Sequence, residues 1–222
     1  MNKDNKKITT VLFDFDGTLM NTNNLIIDSW RHTYRVLEDK DIDEAEIIRT
    51  FGEPLIKTME RFFPNIPVDD CVNTYRSYHR DSFGDRISLF PGIKEMLSEL
   101  KALEYKLAIV TSRAGLTTNE AMEKYGIQDY FDAVVTCDHT SKHKPDPEPV
   151  FIALDQLKSS PDESIMIGDS MYDILCARNA GLLSVLVGWA MAVTDEEKTG
   201  PNKPDYFVES ANDIVKLLEG RR

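Results

Sequence analysis

The chain has 222 residues, 41% hydrophobic and 29% charged, enough to bury one large core or a core carrying a smaller insert. A net charge of −12 argues against nucleic acid and anionic lipid as partners, because both are bound mainly through basic side chains. No apolar run approaches the ~20 residues that span a bilayer, no apolar leader follows the N-terminal lysines, and three scattered cysteines (Cys71, Cys137, Cys176) suit neither a disulfide framework nor a zinc site. The expectation is a cytoplasmic protein, monomer or homodimer.

In chain order, Ile8–Phe13 reads as a short buried strand, rich in β-branched residues and followed by a turn at Gly17. Residues 21–83 change character. Four stretches with apolar residues at three-to-four spacing, interrupted by Gly52-Glu53-Pro54 and by "PNIP" at 64–67, read as four short helices. Trp30 and the aromatic residues at 62, 63, 75 and 78 are expected to form the core of that helical segment. After Phe90-Pro91-Gly92 the pattern alternates. Helices "GIKEMLSELKAL", "GLTTNEAMEKYG", "EPVFIALDQL", "MYDILCARNAG" and "ANDIVKLLEG" separate apolar strands "KLAIVTS", "DAVVTC", "SIMIGDS", "LLSVLVG" and "DYFVES". Gly126 and Gly181 sit where helices should stop, and "TDEEK" at 194–198 reads as a solvated surface segment.

Near-continuous apolar strands alternating with helices predict an α/β fold: a Rossmann-like parallel-sheet core with helices on both faces. The helical segment is then an insertion after the first strand. The expected division is a core of residues 1–19 and 87–222 and an α-helical domain of residues 20–86.

Ligands of open parallel sheets bind outside the carboxyl ends of the strands. The first strand end carries Asp14 and Asp16, "KLAIVTS" carries Thr111 and Ser112, the segment after "DAVVTC" carries Lys144, and "SIMIGDS" carries Asp169 with Asp173 one turn on. Several carboxylates without Cys or His at ligand spacing make a hard oxygen site that favours Mg²⁺. Thr111 or Ser112 could hold phosphate oxygens and Lys144 could neutralise them. A carboxylate can attack phosphorus while a second protonates the leaving oxygen, which gives the Asp14/Asp16 pair a chemical meaning. Gly17 lets the chain turn sharply after them, and Thr18 can hydrogen-bond within the turn.

"DFDGTL", "IVTS", "KPDP" and "GDSMYD" stand in the order and spacing of the haloacid dehalogenase (HAD) superfamily, and the resemblance covers essentially the whole chain. It implies that Asp14 is the nucleophile and Asp16 the general acid/base, with the Asp16 backbone carbonyl also on Mg²⁺. It implies Thr111 and Lys144 as the phosphate-binding pair, Asp169 as a metal ligand and Asp173 in support of the metal or of Lys144. The helical insert resembles the α-helical cap of the superfamily. Gly17 in the catalytic turn and Gly52 in "FGEPL" at 51–55, which sits where these enzymes keep a specificity loop, are candidate substrate contacts. Arg113 either touches substrate or is a solvated loop residue, and Lys57 is a candidate for a second phosphate. His139 and His143, flanking Lys144, are read as exposed loop histidines.

An aspartate at position 16 favours phosphatase or phosphomutase chemistry over dehalogenation. Near Leu55, β-phosphoglucomutases place an arginine and phosphonoacetaldehyde hydrolases a lysine, and this chain offers neither. "NTNNLIIDSW", "KPDPEPV" and "PDYFVESANDIV" most resemble phosphoglycolate phosphatases and PpaX-type inorganic pyrophosphatases. The expected partner is a small phosphorylated metabolite or pyrophosphate. A sugar phosphomutase and a non-catalytic binding protein on the same fold are the alternatives.

Overall fold

β1 (Thr10–Phe13) is followed by β2 (Met20–Asn21), helices α1 (Asn23–Glu38), α2 (Glu44–Ile48), α3 (Leu55–Phe62) and α4 (Val68–Asp81), and β3 (Ser88–Leu89). There follow α5 (Ile93–Ala102), β4 (Lys106–Val110), α6 (Gly115–Tyr125), β5 (Ala133–Val135), α7 (Glu148–Leu157) and β6 (Ser164–Gly168). The chain continues through α8 (Met171–Ala180), β7 (Leu183–Val187), α9 (Asp195–Thr199), β8 (Tyr206–Val208) and α10 (Ala211–Glu219). This computed structural model describes residues 7–82, 84 and 86–221.

Six strands form a parallel sheet in the order β5-β4-β1-β6-β7-β8. β1, β6 and β7 are buried along their whole length, as apolar strands covered on both faces must be. Alternate residues divide the core. Leu12, Ala108, Val110 and Met166 pack with Val150, Ala153 and Leu154 of α7 and Cys176 and Ala177 of α8. Their neighbours Val11, Phe13, Ile109 and Ile167 point to the other face and are also fully buried. β1 lies beside both β4 and β6, and the connections leave those neighbours in opposite directions, so the sheet has its topological switch point at β1. In open parallel sheets, ligands bind outside the carboxyl ends at such a point.

The chain falls into two compact units, one comprising the chain up to Met20 and from Leu89 onward, the other Asn21–Ser88. The second unit has its own apolar centre, in which Trp30 meets Phe62 and Tyr75 edge-on with ring centroids 5.4 Å apart in each case. Ile47, Met59, Phe63 and Cys71 are buried around it. Tyr78 departs from the expectation: it is half-buried and stacks on His32 at 4.5 Å instead of joining the centre.

Three local features differ from the sequence reading. The first strand begins at Thr10: the Ile8 and Thr9 N–H groups donate to the Arg221 and Glu163 carbonyls, outside the strands, and only the Thr9 carbonyl reaches the sheet, accepting from the Lys106 N–H. Residues 195–199 within the charged run are helical, with Thr194 accepting from the Glu197 N–H in a local cap. The two-residue strands β2 and β3 pair with each other, and strands that short carry no readable period. No helix among the described residues is long and apolar enough to cross a membrane.

Cys71 and Cys176 are 1% and 0% exposed, whereas Cys137 is partly exposed. Burial pushes the Cys176 thiol up to about 12. In the native protein one thiol of three should therefore react quickly with a maleimide or disulfide reagent, and Cys137→Ser should remove that phase. Fast labelling of a second thiol without denaturant would contradict this packing.

Candidate active site

Asp14 follows the last residue of β1, and its N–H still donates to the Ile167 carbonyl of β6 at 2.9 Å. The sheet ladder therefore fixes its backbone. Its Oδ1 lies 2.7 Å from Nζ of Lys144, and both side chains are buried. Lys144 arrives from the loop after β5. Nζ also donates to Asp173 Oδ1 at 2.6 Å and to the Val110 carbonyl, at the end of β4, at 3.3 Å. One ammonium thus joins two strand ends and the first turn of α8.

Asp173 is fully buried and has two jobs. Its Oδ2 accepts from the Ser170 N–H at 3.1 Å and hydroxyl at 2.7 Å, which caps α8, while Oδ1 takes Lys144. Gly168 makes this approach feasible, since a Cβ there would overlap the Asp173 side chain. Gly17 is needed twice over. It has φ of +79°, and a Cβ would run into the Asp169 carboxylate. Thr18, expected to bond within its own turn, instead donates to Asp169 Oδ1 at 3.4 Å.

Oxygens of Asp14, Asp169 and Asp173 lie within 4.8 Å of one another. Burial raises the Asp14 carboxyl to about 7, with Asp173 and Asp16 adding repulsion and Lys144 opposing it. Burial, then Asp14 and Asp173, hold the Asp169 carboxyl well above the usual carboxylate range. Burial works against the Lys144 charge, but Asp14 and Asp173 outweigh it and hold the amine above its usual range. Three carboxyls share one ammonium here, and their full ionisation needs a further positive charge. An all-oxygen, carboxylate-rich donor set of this kind could hold a divalent cation. With both Asp173 oxygens engaged, Asp14 and Asp169 are the better placed of the three to meet it.

Thr111 follows β4 and is buried. Its N–H donates to the Val135 carbonyl at 2.9 Å, and its hydroxyl accepts from the Arg113 N–H at 3.1 Å, which leaves the hydroxyl proton available to donate. Ser112 is exposed. Arg113 is 9% exposed, so it is not the solvated loop residue that was one of its two readings; its Nη1 donates to Asp16 Oδ1 at 2.9 Å. Asp14, Asp16, Gly17, Thr111, Ser112, Arg113, Lys144, Asp169 and Asp173 all belong to the α/β unit. Gly52 belongs to the helical unit, in the turn between α2 and α3 with φ of +81°. Beside it Glu53 is tied to Arg61 at 2.7 Å and to the Thr58 hydroxyl at 2.9 Å. Lys57 is exposed.

Trp189 was not singled out by the sequence reading. Its Nε1 donates to the Thr18 carbonyl at 3.1 Å, and its ring lies against Phe90 with centroids 5.9 Å apart. It follows β7, so the strand-end rule that found the carboxylates would have reached it had it been applied to every strand.

The haloacid dehalogenase-like hydrolase family model matches residues 11–187. A protein of Caldanaerobacter subterraneus subsp. tengcongensis, provisionally designated pyrophosphatase PpaX, is 41% identical over 96% of this chain and 96% of its own length. Pyrophosphatase PpaX of Bacillus velezensis is 34% identical over 96% and 97%. Among solved structures, a Lactobacillus plantarum protein provisionally designated a phosphoglycolate phosphatase superposes with a TM-score of 0.83 at 26% identity, covering 95% of this chain and 99% of that one. The carboxylate cluster at the end of β1 and the family match over most of the chain lead to one conclusion: this chain belongs to the haloacid dehalogenase-like hydrolases and is a phosphohydrolase of that family.

Proposed function

We propose that the protein is an Mg²⁺-dependent inorganic pyrophosphatase that works through an aspartyl-phosphate on Asp14. The observation that carries the chemistry is the buried Asp14–Lys144–Asp173 chain beside Asp169 and Asp16. The choice of pyrophosphate is supported by the PpaX relatives over almost the whole chain. 2-Phosphoglycolate is the second substrate to test, given the likeness to the Lactobacillus plantarum structure.

With Oδ1 held by Lys144, Asp14 presents Oδ2 to phosphorus. The Thr111 hydroxyl and the Lys144 ammonium bind the oxygens of the transferring phosphoryl group, and Asp173 keeps that ammonium on target. Asp16 gives a proton to the departing phosphate and then takes one from the water that hydrolyses the acyl phosphate. Asp14, Asp169 and the Asp16 carbonyl would hold Mg²⁺, which when bound would supply positive charge to offset that of the carboxylates and the phosphate. Asp173 acts here as the residue that orients Lys144. The helical unit acts as the substrate-selecting cap. Its 51–55 turn with Gly52 contributes to selection, and Leu55 brings no charge to it.

A panel of pyrophosphate, 2-phosphoglycolate, sugar phosphates and nucleotides, with and without Mg²⁺, tests this reading. Pyrophosphate should be turned over fastest, and only with the metal. Asp14→Asn should lower turnover at least about a thousandfold with the fold retained. Residual activity near the parent level would remove Asp14 as nucleophile.

The same electrostatics predict opposite effects on metal-free stability. Lys144→Met leaves buried carboxyls without their cation and should destabilise by about 3–5 kcal/mol. Asp169→Asn relieves repulsion and should raise the denaturation midpoint without Mg²⁺. Chemical denaturation of both variants decides the matter. A gain from Lys144→Met would contradict it.

The raised Asp14 and Asp169 carboxyls also give a pH dependence. The folded state keeps protons that the unfolded state releases, so metal-free stability declines as pH rises from about 4 through about 7 on account of Asp14, and Asp169 acts in the same direction. Mg²⁺ competes with those protons. The rise in Tm produced by Mg²⁺ should therefore be larger at about pH 8 than at about pH 5. A constant shift across that range would count against the carboxylate site.

A further inference from the structure

The phosphate chemistry above makes no use of the ion pair between Arg113 and Asp16. Nη1 of Arg113 donates to Oδ1 of Asp16 at 2.9 Å, with side-chain exposures of 6% and 26%. The guanidinium is the enclosed partner and the carboxylate the accessible one. The Arg113 backbone is held on both sides. Its N–H donates to the Thr111 hydroxyl at 3.1 Å, and its carbonyl accepts from the Cys137 N–H at 3.1 Å. The loops after β4 and β5 thus mount the guanidinium, while Asp16 rides on the turn after β1. That turn is tightened by the Gly17 N–H bond to the Met20 carbonyl at 2.8 Å.

We propose that Arg113 is a positioning residue for Asp16, holding the carboxyl in the orientation from which it exchanges a proton with the leaving oxygen. The inference rests on the reading of Asp14 as nucleophile and Asp16 as acid/base. A partly exposed aspartate on a turn otherwise samples several rotamers. With Oδ1 pinned, Oδ2 is left as the oxygen that carries the proton. The pinned oxygen accepts from the guanidinium whether or not Oδ2 is protonated, so the orientation survives the transfer. In the first step an Asp14 oxygen forms the new P–O bond and the bond to the leaving group breaks. The electron pair stays on the leaving oxygen, and the Asp16 proton moves to it. The Asp16 carboxylate then faces the guanidinium in a charge-assisted pair. In the second step it takes a proton from the attacking water as the acyl phosphate breaks. A lysine could keep the charge but not the fixed planar donors.

The test uses the full chain with Mg²⁺ on phenyl phosphate and p-nitrophenyl phosphate. These esters are close in shape, but the more basic phenolate depends more on protonation as it leaves. Asp16→Asn and Arg113→Ala should each lose at least about tenfold more kcat on phenyl phosphate than on p-nitrophenyl phosphate. Arg113→Lys should fall between Arg113→Ala and the parent. Adding Arg113→Ala to Asp16→Asn should leave the ratio where Asp16→Asn set it. Equal losses on both esters, or a KM rise on both with kcat retained, would assign Arg113 to packing or to substrate binding and overturn the proposal. If circular dichroism shows Arg113→Ala unfolded, Arg113→Lys is held to the same criterion of selective loss. Inactivity on pyrophosphate would sink the substrate assignment alone. Absence of selective loss in Asp16→Asn would remove the general acid and this proposal with it.

Discussion

A single buried ammonium organises this site. Lys144 has carboxylate oxygens 2.7 and 2.6 Å away on Asp14 and Asp173 and a backbone carbonyl at 3.3 Å. Without it, the end of β1 and the first turn of α8 would present like charges to each other in a region stripped of water. Leaving such a charge uncompensated costs several kcal/mol, a large fraction of the stability of a typical domain. The glycines at 17 and 168 follow from the same constraint, because carboxylates drawn this close leave no space for a Cβ.

The second consequence is that the two aspartates after β1 live in different surroundings although only Phe15 separates them. Asp14 is held by the sheet ladder and by Lys144, deep enough that burial dominates its ionisation. Asp16 lies beyond the ladder, is a quarter exposed and is held by Arg113. A nucleophile needs a fixed direction of attack, and an acid/base needs access to both the leaving group and water. On the proposed mechanism, different partners and different depths suit two chemically identical side chains to these separate roles.

Much of this was legible from the sequence, and the reasons are physical. The strands of a parallel sheet are buried on both faces, so they stand out as apolar runs, and polar residues at their carboxyl ends are conspicuous. Asp14, Asp16, Thr111, Lys144 and Asp169 were found that way. What escaped depended on pairs of residues far apart in the chain. Thr18 meets Asp169 across 151 positions and Trp189 meets Thr18 across 171. Arg113 gave no sign of burial in a loop of small and polar residues. The pairing of β2 with β3 involves two residues on each side, too few for any pattern.

By itself the sequence determined the alternation of strands and helices, the helical insert and the set of groups delivered to the sheet edge, because hydrophobic periodicity and strand-end position are local properties of the chain. The tertiary structure decided which group faces which. It set Lys144 between Asp14 and Asp173, gave Asp173 a capping and an orienting role at once, and turned Arg113 inward onto Asp16. These are contacts between segments brought together only by folding. Their strength comes from distances and desolvation that no spacing along the chain encodes.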